Sequence, residues 1–118
     1  MKHRIFVYGT LRRDGGSQHH RMRAATWIAN ASVKGVLYHI DWYPAIVLSA
    51  EAEASVRGEI FMVDDDTLAE LDLFEGKEYK RVLVNATDDQ GHTQQAWIWA
   101  AWEKPNKPII LSGDWLQR

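Results

Sequence analysis

The chain opens on an uninterrupted apolar run, Ile5-Phe6-Val7-Tyr8, closed by Gly9. Consecutive apolar residues without polar alternation predict a short strand buried on both faces. The polar stretch Arg12 to Gln18, with Gly15-Gly16, predicts a loop, and His19 to Ala25 one or two helical turns. Trp27 to Ile40 reads as extended, with Gly35 as a bulge or bend. Tyr43-Pro44 forces an extended or turn geometry at Tyr43, and Ala45 to Leu48 is strand-like. After a loop from Ser49 to Ala54, Val56 to Val63 forms a further strand, in which Gly58 permits a close backbone approach.

The spacing then becomes helical. Asp64-Asp65-Asp66 suits the positive end of a helix, and Leu68, Leu71 and Phe74 share one face of Thr67 to Phe74. Gly76 ends that helix. Tyr79 to Asn85 alternates weakly, and Asp88 to His92 is a turn around Gly91. Gln94 to Ala101 is strand-like, so Trp97 and Trp99 share a face. Pro105 and Pro108 interrupt regular structure beyond that strand, and Ser112-Gly113-Asp114-Trp115 predicts a turn carrying an aromatic plug. Strands in succession around a single clear helix predict an α+β fold, a small mixed β-barrel or curled sheet, rather than a doubly wound one.

The length of 118 residues suits one domain spanning 1–118, long enough to bury a core without staples. No cysteine is present, which removes disulfides, thiolate nucleophiles and Cys-based zinc sites and fits a reducing cytoplasm. A formal net charge of −2 lacks the footprint of a nucleic-acid binder. No stretch reaches the length of a spanning helix, and the apolar run behind Met1-Lys2-His3-Arg4 is too short for a secretory signal core. The expected setting is cytoplasmic, with no membrane and no nucleic-acid partner. Oligomeric state is not written in the sequence.

The candidate chemistry is sparse. A strand end followed by Gly9 exposes successive N–H groups that form an anion-binding concavity, although an ordinary strand-to-loop turn carries the same pattern. Glu75 falls four positions after Leu71, beside the apolar face, where partial burial would raise its pKa toward that of a base working near neutrality. The competing description is an exposed acid at a helix C-terminus, and Glu78 is the competing acid. Glu70 and Asp72 are expected on the solvated face. Tyr79 and Arg81 point the same way from one strand, Tyr79 assigned to a pocket and Arg81 to the surface.

The five histidines show no ligand spacing, so no metal site is expected, and no serine sits in a nucleophile elbow. The basic stretch from Arg12 to Arg23, with His19 and His20, is read as a solvated loop that could also greet an acidic ligand. Trp97 and Trp99, set among alanines and an isoleucine, are assigned to core packing rather than to base stacking.

Five segments occur in order along the chain: Val7-Tyr8-Gly9-Thr10-Leu11, Tyr43-Pro44, Val56-x-Gly58-Glu59-Ile60-Phe61, Leu71-Asp72-x-Phe74-Glu75-Gly76 and Tyr79-x-Arg81. Together they resemble the γ-glutamylcyclotransferase-like proteins, in particular the short γ-glutamylamine cyclotransferase and AIG2-like branch. The resemblance implies a compact mixed fold on a small β-barrel. It implies that Tyr8, Gly9, Thr10 and Leu11 hold the α-carboxylate and amine region of a γ-glutamyl substrate, and that Glu75 is the general base, with Glu78 in reserve. Tyr79 is a hydrogen-bond partner at the same site. The implied reaction closes the substrate's own α-amine onto its γ-carbonyl, giving 5-oxoproline and a free amine. The nucleophile belongs to the substrate, so no cofactor is expected. The alternative is a non-catalytic module that uses the same loop to bind a small carboxylate-bearing metabolite.

Overall fold

The computed structural model describes residues 1–13 and 21–118. Its elements are β1 (Lys2–Val7), β2 (Thr26–His39), β3 (Pro44–Leu48), β4 (Ser55–Asp64), α1 (Asp65–Glu75), β5 (Tyr79–Asp88) and β6 (Thr93–Ala101). Parts of the expected loop and helical turns before Ala25, with Gly15, Gly16, His19 and His20, lie outside the described residues.

The strands run in the order β3-β2-β4-β1-β6-β5, and β5 returns to pair with β2. That return closes β2, β4, β1, β6 and β5 into a mixed barrel, as the α+β reading expects. Closure rests on the short antiparallel register Ala31↔Asp88 and Ser32↔Thr87. β1 lies parallel to β6 around Ile5↔Trp97, and the other pairings are antiparallel.

β2 serves three partners, β5 at Ala31 and Ser32 and two others along its length. Thr26 to Lys34 pairs with β4, and Gly35 to His39 pairs with β3. The irregularity expected at Gly35 instead falls between Trp27 and Ala29, where the register with β4 shifts. Gly35 marks the change of partner. Gly58 meets its expectation: a Cβ there would lie 2.3 Å from the Val7 carbonyl oxygen, so only glycine lets β1 and β4 approach this closely.

The apolar run in β1 is explained by two cores, one on each face. Phe6 and Tyr8 point into the barrel with Ile60, Ile98 and Ala100, and Trp115 plugs it from the C-terminal turn. Ile5 and Val7 face outward with Phe61, Val63 and Trp99, and α1 covers them with Leu68 and Leu71. Trp99 is buried and Trp97 half-buried against this outer cluster, as core packing requires. Asp64 caps α1 by accepting from the Thr67 N–H at 2.8 Å, while Asp65 and Asp66 occupy the first turn. Gly76, at φ 69°, ends the helix and donates its N–H to the Asp72 carbonyl. The end of α1 is thereby fixed beside the turn that leaves β1.

Candidate active site

A cavity of about 440 Å³ opens where the turn after β1, the start of β3, the end of α1 and the start of β5 meet. That volume falls within the roughly 300–1,000 Å³ usual for small-molecule sites. Tyr8, Gly9, Thr10, Leu11, Glu75 and Tyr79 all line it, and so does Glu78. The residues singled out from two distant stretches of sequence therefore share one space.

Among the described residues, none accepts from the backbone N–H groups of Gly9, Thr10 or Leu11. Donors that no described residue takes up form a geometry suited to an anion. The Tyr8 side chain is used differently from its backbone: its hydroxyl donates to the Trp99 carbonyl at 2.6 Å and accepts from the Ile46 N–H at 3.3 Å. Its phenol is raised well above the ordinary value, chiefly by burial, so it stays protonated. Tyr8 holds the barrel together while its backbone enters the turn.

Pro44 explains why a Tyr-Pro pair belongs here. Its ring lies against Gly9, where an added Cβ would meet the Pro44 Cδ at 2.7 Å. Its carbonyl accepts from the Tyr79 hydroxyl at 2.8 Å. One residue thus joins the turn after β1 to the first residue of β5. Burial and the nearby Glu75 carboxylate push the Tyr79 phenol upward, so it acts as a donor.

Glu75 ends α1 half-buried next to Phe74, and burial pushes its carboxyl up to about 7. Arg21, whose guanidinium stands 3.9 Å over the Phe74 ring, opposes that shift. Glu78 is exposed and accepts a long hydrogen bond, 3.4 Å, from the Tyr43 hydroxyl. Burial, and after it the Glu78 carboxylate, raises the Tyr43 phenol.

Three expectations are corrected. Arg12 is not part of a solvated loop: it is buried, with Nε 3.1 Å from Glu59 Oε2 and Nη1 2.7 Å from Asp114 Oδ1. The Arg13 N–H donates to the other Glu59 oxygen at 3.1 Å, and the Arg12 N–H closes a turn onto the Gly9 carbonyl at 3.1 Å. This ion cluster pins the turn after β1 to β4 and to the C-terminal segment. Asp72 is not merely solvated: its Oδ1 accepts from Arg81 Nε and from Trp99 Nε1, both at 2.9 Å. Arg81, assigned to the surface, is half-buried in that pair and stands 4.6 Å over the Trp97 ring. Glu70 is exposed, as expected.

Sequence reasoning also misses the aromatic walls Trp42, Tyr43, Phe74 and Trp99. Trp42 is 60% exposed at the rim, an unusual exposure for an indole, and stacks edge-on against Tyr43 with centroids 5.0 Å apart. The Trp-Tyr-Pro run is the signal that could have found them.

Comparison with known proteins bears on this constellation. The family model described as "Gamma-glutamyl cyclotransferase, AIG2-like" matches residues 5–117. The chain belongs to that family. Within it, the chain is 36% identical over 126 residues to "Gamma-glutamylcyclotransferase family protein YtfP" of Escherichia coli strain K12, covering 98% of this chain and 97% of that protein. The crystal structure of YkqA from Bacillus subtilis superposes with a TM-score of 0.83 at 31% identity, over 99% of this chain. This chain spans only 40% of YkqA. An AIG2-like protein from Mus musculus shares the fold, with a TM-score of 0.79 at 22% identity over 96% of this chain and 88% of that one. The AIG2-like family supports an enzyme of γ-glutamylcyclotransferase type. No described helix of this family member is long and apolar enough to cross a membrane.

Proposed function

We propose that this AIG2-like chain cyclises a γ-glutamyl amine or peptide to 5-oxoproline and releases the amine, with Glu75 as general base. The observation that carries the reading is a half-buried carboxylate, raised to about 7, in the same cavity as a turn whose backbone donors meet no acceptor among the described residues.

The α-carboxylate of the substrate is held at the N–H groups of Gly9, Thr10 and Leu11. Its α-amine, protonated near neutral pH, gives a proton to Glu75 and becomes nucleophilic. The amine nitrogen then bonds to the γ-carbonyl carbon and closes a five-membered ring. Glu75 returns that proton to the departing nitrogen as the original γ-amide bond breaks, and the second proton of the ring nitrogen passes through the same carboxylate to the released amine, which leaves as an ammonium. Atoms balance without added water, and the side chains supply no covalent intermediate. Holding the reacting ends of one molecule together contributes up to about 7–11 kcal/mol in favourable cases. Proton transfer by a positioned base adds on the order of 10²–10⁴ in rate.

Glu75 is preferred to Glu78 because Glu78 is exposed and bonded to Tyr43. Tyr79 orients the site through Pro44. A cysteine-free chain whose substrate brings its own nucleophile suits the cytoplasm and needs no cofactor. The test is a panel of γ-glutamyl amines and dipeptides incubated with the wild type and with Glu75→Gln, with 5-oxoproline quantified. Product from the wild type alone is expected. Ligand-induced thermal stabilisation without product from any member would favour the non-catalytic binding module.

A further inference from the structure

Glu59 is a buried carboxylate that the proposed proton transfer does not use. It stands on β4 as the antiparallel partner of Val7, the last residue of β1. Its side chain meets the chain again on the far side of the turn. Oε2 accepts from Arg12 Nε at 3.1 Å, and Oε1 accepts from the Arg13 backbone N–H at 3.1 Å, with Arg13 Nε 3.4 Å away. One residue of β4 thus grips the stretch Tyr8 to Leu11 at both ends.

Two further contacts fix what lies between. The Arg12 N–H donates to the Gly9 carbonyl at 3.1 Å, which closes the turn on itself. Arg12 Nη1 is anchored 2.7 Å from Asp114 Oδ1, and that oxygen also accepts from the Leu116 N–H at 2.9 Å. The Arg13 N–H is therefore taken by Glu59, whereas no described residue accepts from Gly9, Thr10 or Leu11, which line the cavity. A hydrogen bond weakens steeply once its donor points off axis, so pinning the ends of so short a stretch sets what its N–H groups can bind.

The place calls for a carboxylate. Both oxygens of Glu59 accept, and each faces donors. Glutamine fills the same volume but has one acceptor, and its NH₂ would oppose either Arg12 or the Arg13 N–H.

We propose that Glu59 is a positioning residue for substrate binding: by clamping Arg12 and Arg13 against β4, it aims the N–H groups of Gly9, Thr10 and Leu11 at the substrate's α-carboxylate without touching the substrate. The proposal rests on the reading of that turn as the carboxylate site, and not on Glu75 as base.

Two ligands test it: γ-glutamyl-n-butylamide, and the same molecule with its α-carboxylate replaced by a carboxamide. Calorimetry measures both on Glu75→Gln protein and on the double variant that adds Glu59→Gln. The Glu75→Gln parent is expected to bind the carboxylate ligand about tenfold more tightly, because a charged acceptor makes the stronger hydrogen bond. Adding Glu59→Gln should shrink that preference to about twofold, with the loss borne by the carboxylate ligand. With Glu75 intact, Glu59→Gln should raise KM and leave kcat little changed. Ile98→Ala, a destabilising change inside the barrel and away from the cavity lining, should keep the full preference, so a lowered thermal midpoint alone does not erase it.

A preference unchanged by Glu59→Gln, or two affinities that fall together, would overturn the proposal and leave the turn reading in place. Equal affinities in the parent, or no binding of either ligand, would remove the turn as a carboxylate site and the role of Glu59 with it. The expected preferences without 5-oxoproline from the wild type retain the role of Glu59 and remove the cyclisation. If Glu59→Gln protein does not fold, Arg12→Lys gives the same reading, since an ammonium replaces the fork that spans Glu59 and Asp114. The preference should again narrow, and an unchanged one would overturn the proposal.

Discussion

Glu75 occupies a position where two effects disfavour its charge. It lies at the C-terminal end of α1, where the helix dipole is negative, and it is withdrawn from water beside Phe74. A carboxyl raised from 4.5 to about 7 on folding makes the unfolded chain the better acid. Its contribution to stability is therefore fully present below pH 4.5 and lost as pH rises through about 7. The loss is on the order of 3 kcal/mol, at about 1.4 kcal/mol per pH unit. Glu75→Gln should consequently be more stable than the wild type at pH 8, by on the order of 2–3 kcal/mol, with the difference vanishing near pH 4. Urea denaturation at both pH values measures this. Under the proposed cyclisation the same ionisation would set the rate: kcat/KM for the wild type should rise with pH along a limb centred near 7, since only the carboxylate would accept the amine proton. A pH–rate profile that is flat between 6 and 8 would remove Glu75 from that step. The stability measurement and the rate measurement read one titration from opposite sides, so they must agree.

At the scale of elements, the turn after β1 is held from both sides. Pro44 at the start of β3 packs on Gly9, and the Arg12–Glu59–Asp114 cluster ties the turn to β4 and the C-terminal segment. Gly9→Ala must displace Pro44 and with it the carbonyl that Tyr79 engages, so KM should rise more than stability falls. Steady-state kinetics beside thermal melting checks this; equal melting with unchanged KM would mean the contact is slack. Arg12→Met removes one of the two guanidinium partners of Glu59, which is only 3% exposed and keeps Arg13, and should destabilise the fold by about 1–3 kcal/mol in urea titrations. The double variant Arg12→Met with Glu59→Met should recover part of that loss, because part of the penalty comes from the buried Glu59 charge. The elements themselves are readable from sequence because each has a local cause: apolar runs for β1 and β4, aspartates and three-residue leucine spacing for α1, glycine at its end. The partners of Arg12 are not. Glu59 and Asp114 lie 47 and 102 positions away, and nothing local distinguishes a buried arginine from a solvated one. Asp72 and Arg81 are misplaced for the same reason, since Trp99 Nε1 completes their pair from a third element.

Across the whole molecule, closure is the property that makes one unit of these strands. β1 contributes alternate side chains to the barrel interior and to the outer core under α1, so the two cores share a backbone. Ile98→Ala inside and Leu71→Ala outside should each cost about 2–5 kcal/mol. Because the cores are joined, both variants should still unfold in a single transition, with far-UV dichroism and tryptophan fluorescence coinciding. Separated transitions would show that the outer layer melts on its own. The barrel class can be inferred from strand succession around one helix, but the closing register between Ala31 and Asp88 cannot, since it joins distant segments that carry no local signal for each other. The cavity arises at this scale too: the turn, Tyr-Pro pair, helix end and start of β5 converge only once the sheet has curled.

The most direct measurement compares initial rates of 5-oxoproline release by the wild type, Glu75→Gln and Glu78→Gln on one γ-glutamyl amine, at pH 8, with folding verified for all three. Glu75 as base predicts that Glu78→Gln retains turnover while Glu75→Gln falls by on the order of 10²–10⁴. Wild-type turnover in Glu75→Gln, or its loss only in Glu78→Gln, would contradict that assignment.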